Sequence, residues 1–437
     1  MILALRVRAA LWGGGVVALW RLVMLGVPAA LQTGGLAALL GASSGQRLAF
    51  AVLRAFKPNL LLKRRFITAY ANSGTAIVTR HADVTEVLER HDDFAVVYEP
   101  RMRAITGGEN FFLGMQESAQ YTRDVSLMRL IIQREDVASR IIPLVAREAA
   151  GIVAASGGRL DVAVELAGPV PARILAGYFG TPGPSEPEMI RWTTWMFWYL
   201  FADLDADERV GVPALRYAAE CREYLDTAIA ARRATPRGGD DILARCLAMP
   251  GMDDLAIRNN LIGLMIGLVP TLSKAAVLAL NQLFEQPAAL AMAQAAARQD
   301  DDALLAACVM EALRFDPANP VIYRRAMREV VIARGRLRAL RVPEGTMVLA
   351  ANLSAMFDPF AVETPGEFRT DRPLGDYMLW GYGMHACFGA HINRAVLPQM
   401  LKPLLRCEGL CRIGAVDGAG TPFPAHFPVA FEPARGA

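Results

Sequence analysis

Charge is scarce in this sequence. Only 20% of its 437 residues are charged, against 54% apolar. That balance excludes a disordered chain, which would lack the apolar surface to fold. Neither sign dominates, with 46 basic and 43 acidic residues and a net charge of +3. A nucleic-acid partner is therefore not expected, because phosphate binding needs a basic face. Cysteines number six, and no two make the C-x-x-C spacing of a zinc or thioredoxin-like site. The nearest pair, Cys407 and Cys411, has no partner histidines beside it. No disulfide framework is expected, and the chain suits a reducing, cytoplasmic compartment. No internal repeat is visible.

What is abundant is apolar sequence, first of all at the N-terminus. Residues 9–20 and 22–46 carry no charge, and Arg6, Arg8 and Arg21 flank them. The second stretch could cross about 30 Å of hydrocarbon as a helix. Pro28, Gln32, Thr33, the Gly34-Gly35 pair and the Ser43-Ser44 pair interrupt it. Three readings stay open: an interfacial membrane anchor, an arm packed on the body, or a cleaved secretory signal. The expected organisation is an apolar arm over 1–50, offering contact to a membrane, and one domain over 51–437.

The body mixes short strand signals with longer helical ones. Ala76-Ile77-Val78-Thr79 is β-prone. Val84, Val87 and Leu88 then share one face of a helix. Amphipathic helices are expected over 137–155 and 161–179. The aromatic run Trp192, Trp195, Phe197, Trp198, Tyr199 and Phe201 forms either a buried helix face or the wall of an apolar channel or membrane contact. Pro236 to Asp241 reads as a loop. A long helix over Asp254–Phe284, apolar round most of its circumference, is expected at the centre of the fold. Pro270 stands in its middle, has no N–H for the Ile266 carbonyl, and costs about 3 kcal/mol there. A kink at that point either is tolerated by packing or opens the backbone to a ligand.

Two motifs carry chemistry. The first is Trp380-Gly381-Tyr382-Gly383-Met384-His385-Ala386-Cys387-Phe388-Gly389. Its glycines allow a tight loop, and Gly389 lets the chain turn into a helix from Ala390 to about Arg406. A cysteine before a helix N-terminus is stabilised as a thiolate. From the chemistry alone, Cys387 is a nucleophile, a metal ligand or a structural thiol. The second motif, Glu311-Ala312-Leu313-Arg314, puts a carboxylate and a guanidinium on one helix face. Alone it would be a surface ion pair worth under about 1 kcal/mol.

Together these motifs resemble the cytochrome P-450 superfamily. Its heme loop, F-G-x-G-x-H-x-C-x-G, is matched except for Trp380. The segment Thr79 to Val84, the pair Glu311 and Arg314, Pro343 to Thr346, Asp358-Pro359, Pro365 to Phe368 and Asp371 to Pro373 follow in the family's order. The resemblance implies a mostly α fold with small β-sheets (α+β). Heme b (iron protoporphyrin IX) would lie between the long central helix and the cysteine-loop helix. It implies Cys387 as proximal thiolate and iron ligand, with Trp380, Gly381 and Gly389 shaping the loop. His385 and Arg324 would bind heme propionates, with Arg325 competing for the second role. Glu311, Arg314 and Arg372 would form a buried network. Arginine suits these anionic partners because its planar fork matches a carboxylate.

The pattern breaks on the distal side. The family's A-G-x-[D/E]-T relays protons to dioxygen, and the aligned stretch here is Ile266-Gly267-Leu268-Val269-Pro270-Thr271. Val269 stands for the acid and Pro270 for the threonine, with Thr271 a substitute one residue along. The family's H-x-x-x-R reads Tyr121 to Val125, which leaves Arg123 or Arg129 as a propionate partner. The expectation is a heme-thiolate oxidoreductase acting on an apolar small molecule such as a lipid, with peroxide or hydroperoxide chemistry favoured. Its rivals are a dioxygen-dependent monooxygenase served by a ferredoxin or reductase, and a non-catalytic heme sensor or carrier.

Overall fold

A computed structural model describes residues 2–30, 35, 39, 41–235 and 239–432. Of the expected loop, Pro236, Arg237 and Gly238 lie outside the described residues, as do parts of the 22–46 stretch and the Arg6 side chain. Helices dominate, and the strands are two to five residues long, so the mostly α class with small sheets is the one found. The chain forms two compact units, one of residues 1–97 with 310–387, the other of 98–309 with 388–437. The helix Ser43–Phe56 ties the N-terminal arm into the first unit, where Arg54 Nη1 donates to the Ser354 carbonyl (2.9 Å) and hydroxyl (2.8 Å).

The strands, in chain order, are β1 (Asn59–Leu62), β2 (Thr75–Val78), β3 (Phe94–Ala95), β4 (Arg159–Asp161), β5 (Ile322–Ala326), β6 (Val330–Ile332), β7 (Leu340–Val342), β8 (Met347–Ala350), β9 (Cys411–Arg412) and β10 (Pro428–Ala430). In the first unit they form a sheet ordered β1-β2-β8-β5-β3 and a β6-β7 ribbon. β2 runs parallel to β8, with Thr75 opposite Met347. The helix His81–Glu89 buries Val84, Val87 and Leu88, as their spacing predicts. They join Phe94, Val348 and Met378 in one apolar core. Asp83 is buried on the same helix. It is satisfied by Arg338 Nη2 at 2.7 Å and Asn59 Nδ2 at 3.0 Å, because a buried carboxylate needs a partner.

The N-terminal helix, Ile2–Ala30, belongs to the same unit. Leu11 and Ala18 are buried with Gly15 between them, a narrow stripe at helical spacing that packs on Ser43–Phe56. A Cβ on Gly15 would stand 2.4 Å from Ala55 Cβ, so the two helices meet only because this position is glycine. The remaining faces are apolar too, and Trp12, Val16, Trp20 and Val27 are each more than half exposed.

The second unit is built on the central helix, Asp254–Phe284, which runs unbroken through Pro270. Asp253 caps it by accepting from the Ala256 N–H at 2.7 Å. Helices Glu186–Phe197, Glu208–Ala234 and Ala390–Arg406 pack against it, and β4, β10 and β9 form a small antiparallel sheet. The helix expected over 137–155 is present, opening with a wide turn at Val137–Ile141. The one expected over 161–179 is not a single α-helix. Asp161 ends β4, and wide turns flank a short α segment at Pro169–Ile174. Pro169 and Pro171 each remove an N–H from the ladder. In the aromatic run, Trp192 and Phe197 are buried, whereas Trp195, Trp198, Tyr199 and Phe201 are half-buried. Trp192 Nε1 donates to Glu220 at 2.9 Å.

Candidate functional site

In the first unit, Trp380 to Cys387 folds as a tight loop. The Cys387 N–H donates to the Trp380 carbonyl at 2.8 Å, and the Ala386 N–H to that of Gly383 at 3.1 Å. Gly381 and Gly383 have φ of +75° and +70°, a region that disfavours any residue with a Cβ. At Gly383 a Cβ would also lie 2.8 Å from the Leu88 carbonyl oxygen. The loop therefore leans on the helix His81–Glu89 through a contact that only glycine permits. It leaves Cys387 exposed and Trp380 half-buried.

His385 and Arg324 lie close enough to feel one another. Burial pushes the His385 imidazole down to about 3, and the Arg324 charge adds to the shift. Arg324 is itself buried, and its Nη1 donates to the neighbouring Tyr323 carbonyl at 3.0 Å. Arg325, its competitor at the sequence level, is less buried on the same strand and takes no part in the His385 shift. An anion beside His385 and Arg324 would reverse the effect on His385, since an opposite charge favours the protonated form.

Glu311 and Arg314 are fully buried, not a surface pair. Arg314 holds Glu311 through Nη2 (2.7 Å) and Nε (3.0 Å), and Arg372 Nε adds a third contact at 3.0 Å. The Arg369 N–H and the Tyr377 hydroxyl also donate to this carboxylate, at 3.0 and 3.2 Å. Two guanidiniums thus share one carboxylate. Carbonyl oxygens of Met356, Glu363, Thr364 and Glu367 satisfy their remaining N–H groups. Tyr377 escaped the sequence reading. Burial and the Glu311 charge raise its hydroxyl pKa, so it stays a donor. Its only sequence signal is its place between Arg372 and the cysteine loop.

In the second unit the central helix separates the four distal residues. Val269 and Pro270 are buried in the core, while Gly267 is exposed and Thr271 half-exposed. Nothing lies within 4 Å of a Cβ built on Gly267. Leu264, Gly267, Thr271, Lys274 and Leu278 fall at three- and four-residue steps on this less buried stripe. The Thr271 hydroxyl donates to the carbonyls of Gly267 and, at 3.2 Å, Leu268. Of Pro270 and Thr271, the one on this less buried stripe is Thr271. Arg123 is exposed and pairs with its neighbour Asp124 at 3.1 Å. No contact within the second unit assigns it, or the exposed Arg129, to a binding site.

The donor set of the first unit suits a thiolate-held, dianionic, planar cofactor. It offers an exposed thiol on a glycine-built loop, and a buried guanidinium beside an imidazole whose proton an anion would restore. Comparison with known proteins agrees. The cytochrome P450 family profile matches residues 193–407. Linoleate diol synthase of Gaeumannomyces graminis is 38% identical over 88 residues, 20% of this chain and 8% of that protein. A bifunctional dioxygenase (DOX)-epoxy alcohol synthase (EAS) of Fusarium oxysporum is 30% identical over 119 residues, 27% of this chain and 9% of that protein. Both curated relatives are thus matched over less than a tenth of their own length. Erythromycin C-12 hydroxylase of Saccharopolyspora erythraea is 26% identical over 340 residues, 74% of this chain and 80% of that protein. Among solved structures, cytochrome P450 CYP109Q5 from Chondromyces apiculatus superposes with a TM-score of 0.71 at 23% identity, covering 90% of this chain and 96% of that one. The chain belongs to the cytochrome P450 family. Membership implies a heme iron cofactor.

Proposed function

We propose that this chain is a heme-thiolate oxidoreductase that oxidises an apolar small molecule, a lipid, with a peroxide or a lipid hydroperoxide. Cys387 ligates the iron of heme b, Arg324 and His385 hold its propionates, and Trp380, Gly381 and Gly389 shape the loop around the ligand. When bound, this group supplies the oxidising power, and its thiolate favours O–O cleavage. The residues of the central helix decide which oxidant suits it.

The observation that carries the choice is a central helix without acid beyond its first turn. Asp254 is its only carboxylate. Activating dioxygen consumes two electrons and two protons, and the protons need a positioned donor. Val269 and Pro270 are apolar and buried, and Thr271 has no acid beside it to refill its proton. A hydroperoxide arrives already reduced. The names of two relatives point the same way. A linoleate diol and an epoxy alcohol each contain the atoms of a hydroperoxide of the same fatty acid. Forming them from it needs no external electrons.

One observation favours a second reading. The Thr271 hydroxyl lies on the open stripe, and a relative matched over most of this chain is a hydroxylase. Dioxygen-dependent monooxygenation with a ferredoxin or reductase would use that hydroxyl. Turnover of candidate lipids with hydrogen peroxide, with a lipid hydroperoxide alone, or with dioxygen and a reductase–ferredoxin pair separates the two. Tightly coupled turnover only in the last mixture rejects the hydroperoxide reading. A Thr271→Val variant should change hydroperoxide turnover less than threefold. Heme ligation is checked apart from activity: the reduced, carbonyl-bound protein should show the red-shifted absorption of a thiolate-ligated heme, lost in Cys387→Ser.

A further inference from the structure

The first unit contains a cavity that the oxidation chemistry does not use. It measures about 220 Å³ and lies between the N-terminal helix, the helix Ser43–Phe56 and residues 353–357. Its apolar lining includes Val17, Ala18, Ala51, Leu353 and Phe357. Three guanidiniums line it as well: Arg21, Arg47 and Arg54.

Among the described residues, none of these three arginines forms an ion pair. Arg54 is buried, and only its Nη1 is engaged, by Ser354. Its Nε is a buried donor with no hydrogen-bond partner. Burial pushes Arg54 down to about 10, the Arg80 charge lowers it further, and Asp358 opposes both. Asp358 is already engaged by Arg80 Nε at 2.8 Å and the His81 N–H at 3.0 Å. Arg47 donates to the Phe315 carbonyl and lies over that ring. Burial lowers its pKa also, and the Asp316 charge, whose carboxylate accepts from Ser43, opposes this. A buried cation with an idle donor is costly. Three cations round one apolar cavity, with no ion-paired carboxylate among the described residues and none in the cavity lining, form an anion site with an acyl-sized wall.

We propose that this cavity binds the head of an anionic amphiphile, a carboxylate or phosphate joined to an acyl chain. The guanidiniums take the head, as bidentate donors suited to either group. The chain lies against Val17, Ala18 and Ala51 and continues along the exposed apolar faces of the N-terminal helix. Nothing here depends on the reaction proposed above.

Photo-crosslinking of the full chain tests it. The probes are a diazirine-bearing dodecanoate, the matching dodecanol, and a diazirine-bearing phosphatidylglycerol in phosphatidylcholine vesicles, with labelled peptides mapped by mass spectrometry. The dodecanoate or the phosphatidylglycerol should label residues 11–21, 47–57 and 353–357, and the alcohol at least tenfold less. Labelling by the acid alone identifies a free acid as the ligand, and labelling by the phospholipid alone a bilayer lipid. Arg47→Gln combined with Ala51→Trp should cut labelling at least tenfold with the melting temperature held. Arg54→Gln is a second variant should the first fail to fold. Equal labelling by acid and alcohol, labelling that both variants leave unchanged, or none at these peptides overturns the proposal.

Discussion

His385 titrates in the shadow of a neighbouring guanidinium. Its folded-state pKa lies near 3 instead of 6.5. The unfolded chain takes up a proton as pH falls through 6.5, whereas the folded chain does not until about 3. The contribution to stability is therefore intact above pH 6.5 and is lost as pH falls toward 3. Heme-free protein should lose more of its urea midpoint between pH 7 and 5 than His385→Gln does, and parallel losses would sink the assignment. Glu311 offers a second test. In Glu311→Gln, Arg314 stays buried without its paired carboxylate and Arg372 keeps only Asp376, at 3.9 Å, and breaking such a pair costs about 3–5 kcal/mol. Asp371→Asn, which disrupts the exposed pair with Arg369, should cost at most about 1 kcal/mol. Urea titration of both variants measures the contrast, and similar small losses would show that the network is not what holds this region. These residues were legible in the sequence because their motifs are short and fixed in spacing. Tyr377 was not, because a hydroxyl that meets Glu311 through tertiary folding leaves no local pattern.

At the scale of elements, the central helix shows what periodicity can and cannot tell. Its extent and its burial follow from its apolar residues, and the structure matches both. Its rotation does not, because a helix apolar round most of its circumference has no preferred phase. Hence Thr271, not Pro270, takes the open stripe. Pro270 itself invites a magnitude argument. Proline costs about 3 kcal/mol inside a helix, while the two ring carbons lost in Pro270→Ala contribute roughly 1.6 kcal/mol of burial. The substitution should therefore stabilise the protein by about 1 kcal/mol, measured as a rise in thermal midpoint. A drop would mean that the ring fills space the helix cannot close. The segment over 161–179 misled the reading for a related reason: amphipathic spacing was visible, but two prolines prevent one continuous α-helix.

For the whole molecule, the N-terminal helix settles part of what its composition left open. One face is packed on Ser43–Phe56 through Leu11, Gly15 and Ala18, as the arm reading expected. The other faces expose Trp12, Val16, Trp20 and Val27, a surface suited to lipid. We propose that these faces rest on a membrane. Full-length protein should float with liposomes, and a chain lacking residues 1–40 should not. Equal, negligible flotation would leave the helix a packed arm only. The division into two units was beyond the sequence, because it rests on pairings between distant segments. β2 beside β8 is one, and the contact of Arg54 with Ser354, 300 residues apart in the chain, is another.

That same contact fixes an order of events during synthesis. The hairpin of Ile2–Ala30 and Ser43–Phe56 is local and can close as soon as residue 56 has left the ribosome. Its third wall, Leu353 to Phe357, is translated some 300 residues later. At roughly 5–20 residues per second this gap lasts about 15–60 s. Through that interval an apolar hairpin carrying Arg21, Arg47 and Arg54 waits uncovered. The second unit is also unfinished until its last segment, residues 388–437, appears. A nascent chain stalled at residue 309 should therefore expose Arg47 and Arg54 to trypsin, which the complete protein protects. Until residues 353–357 are made, the chain offers the cell a surface that it later closes.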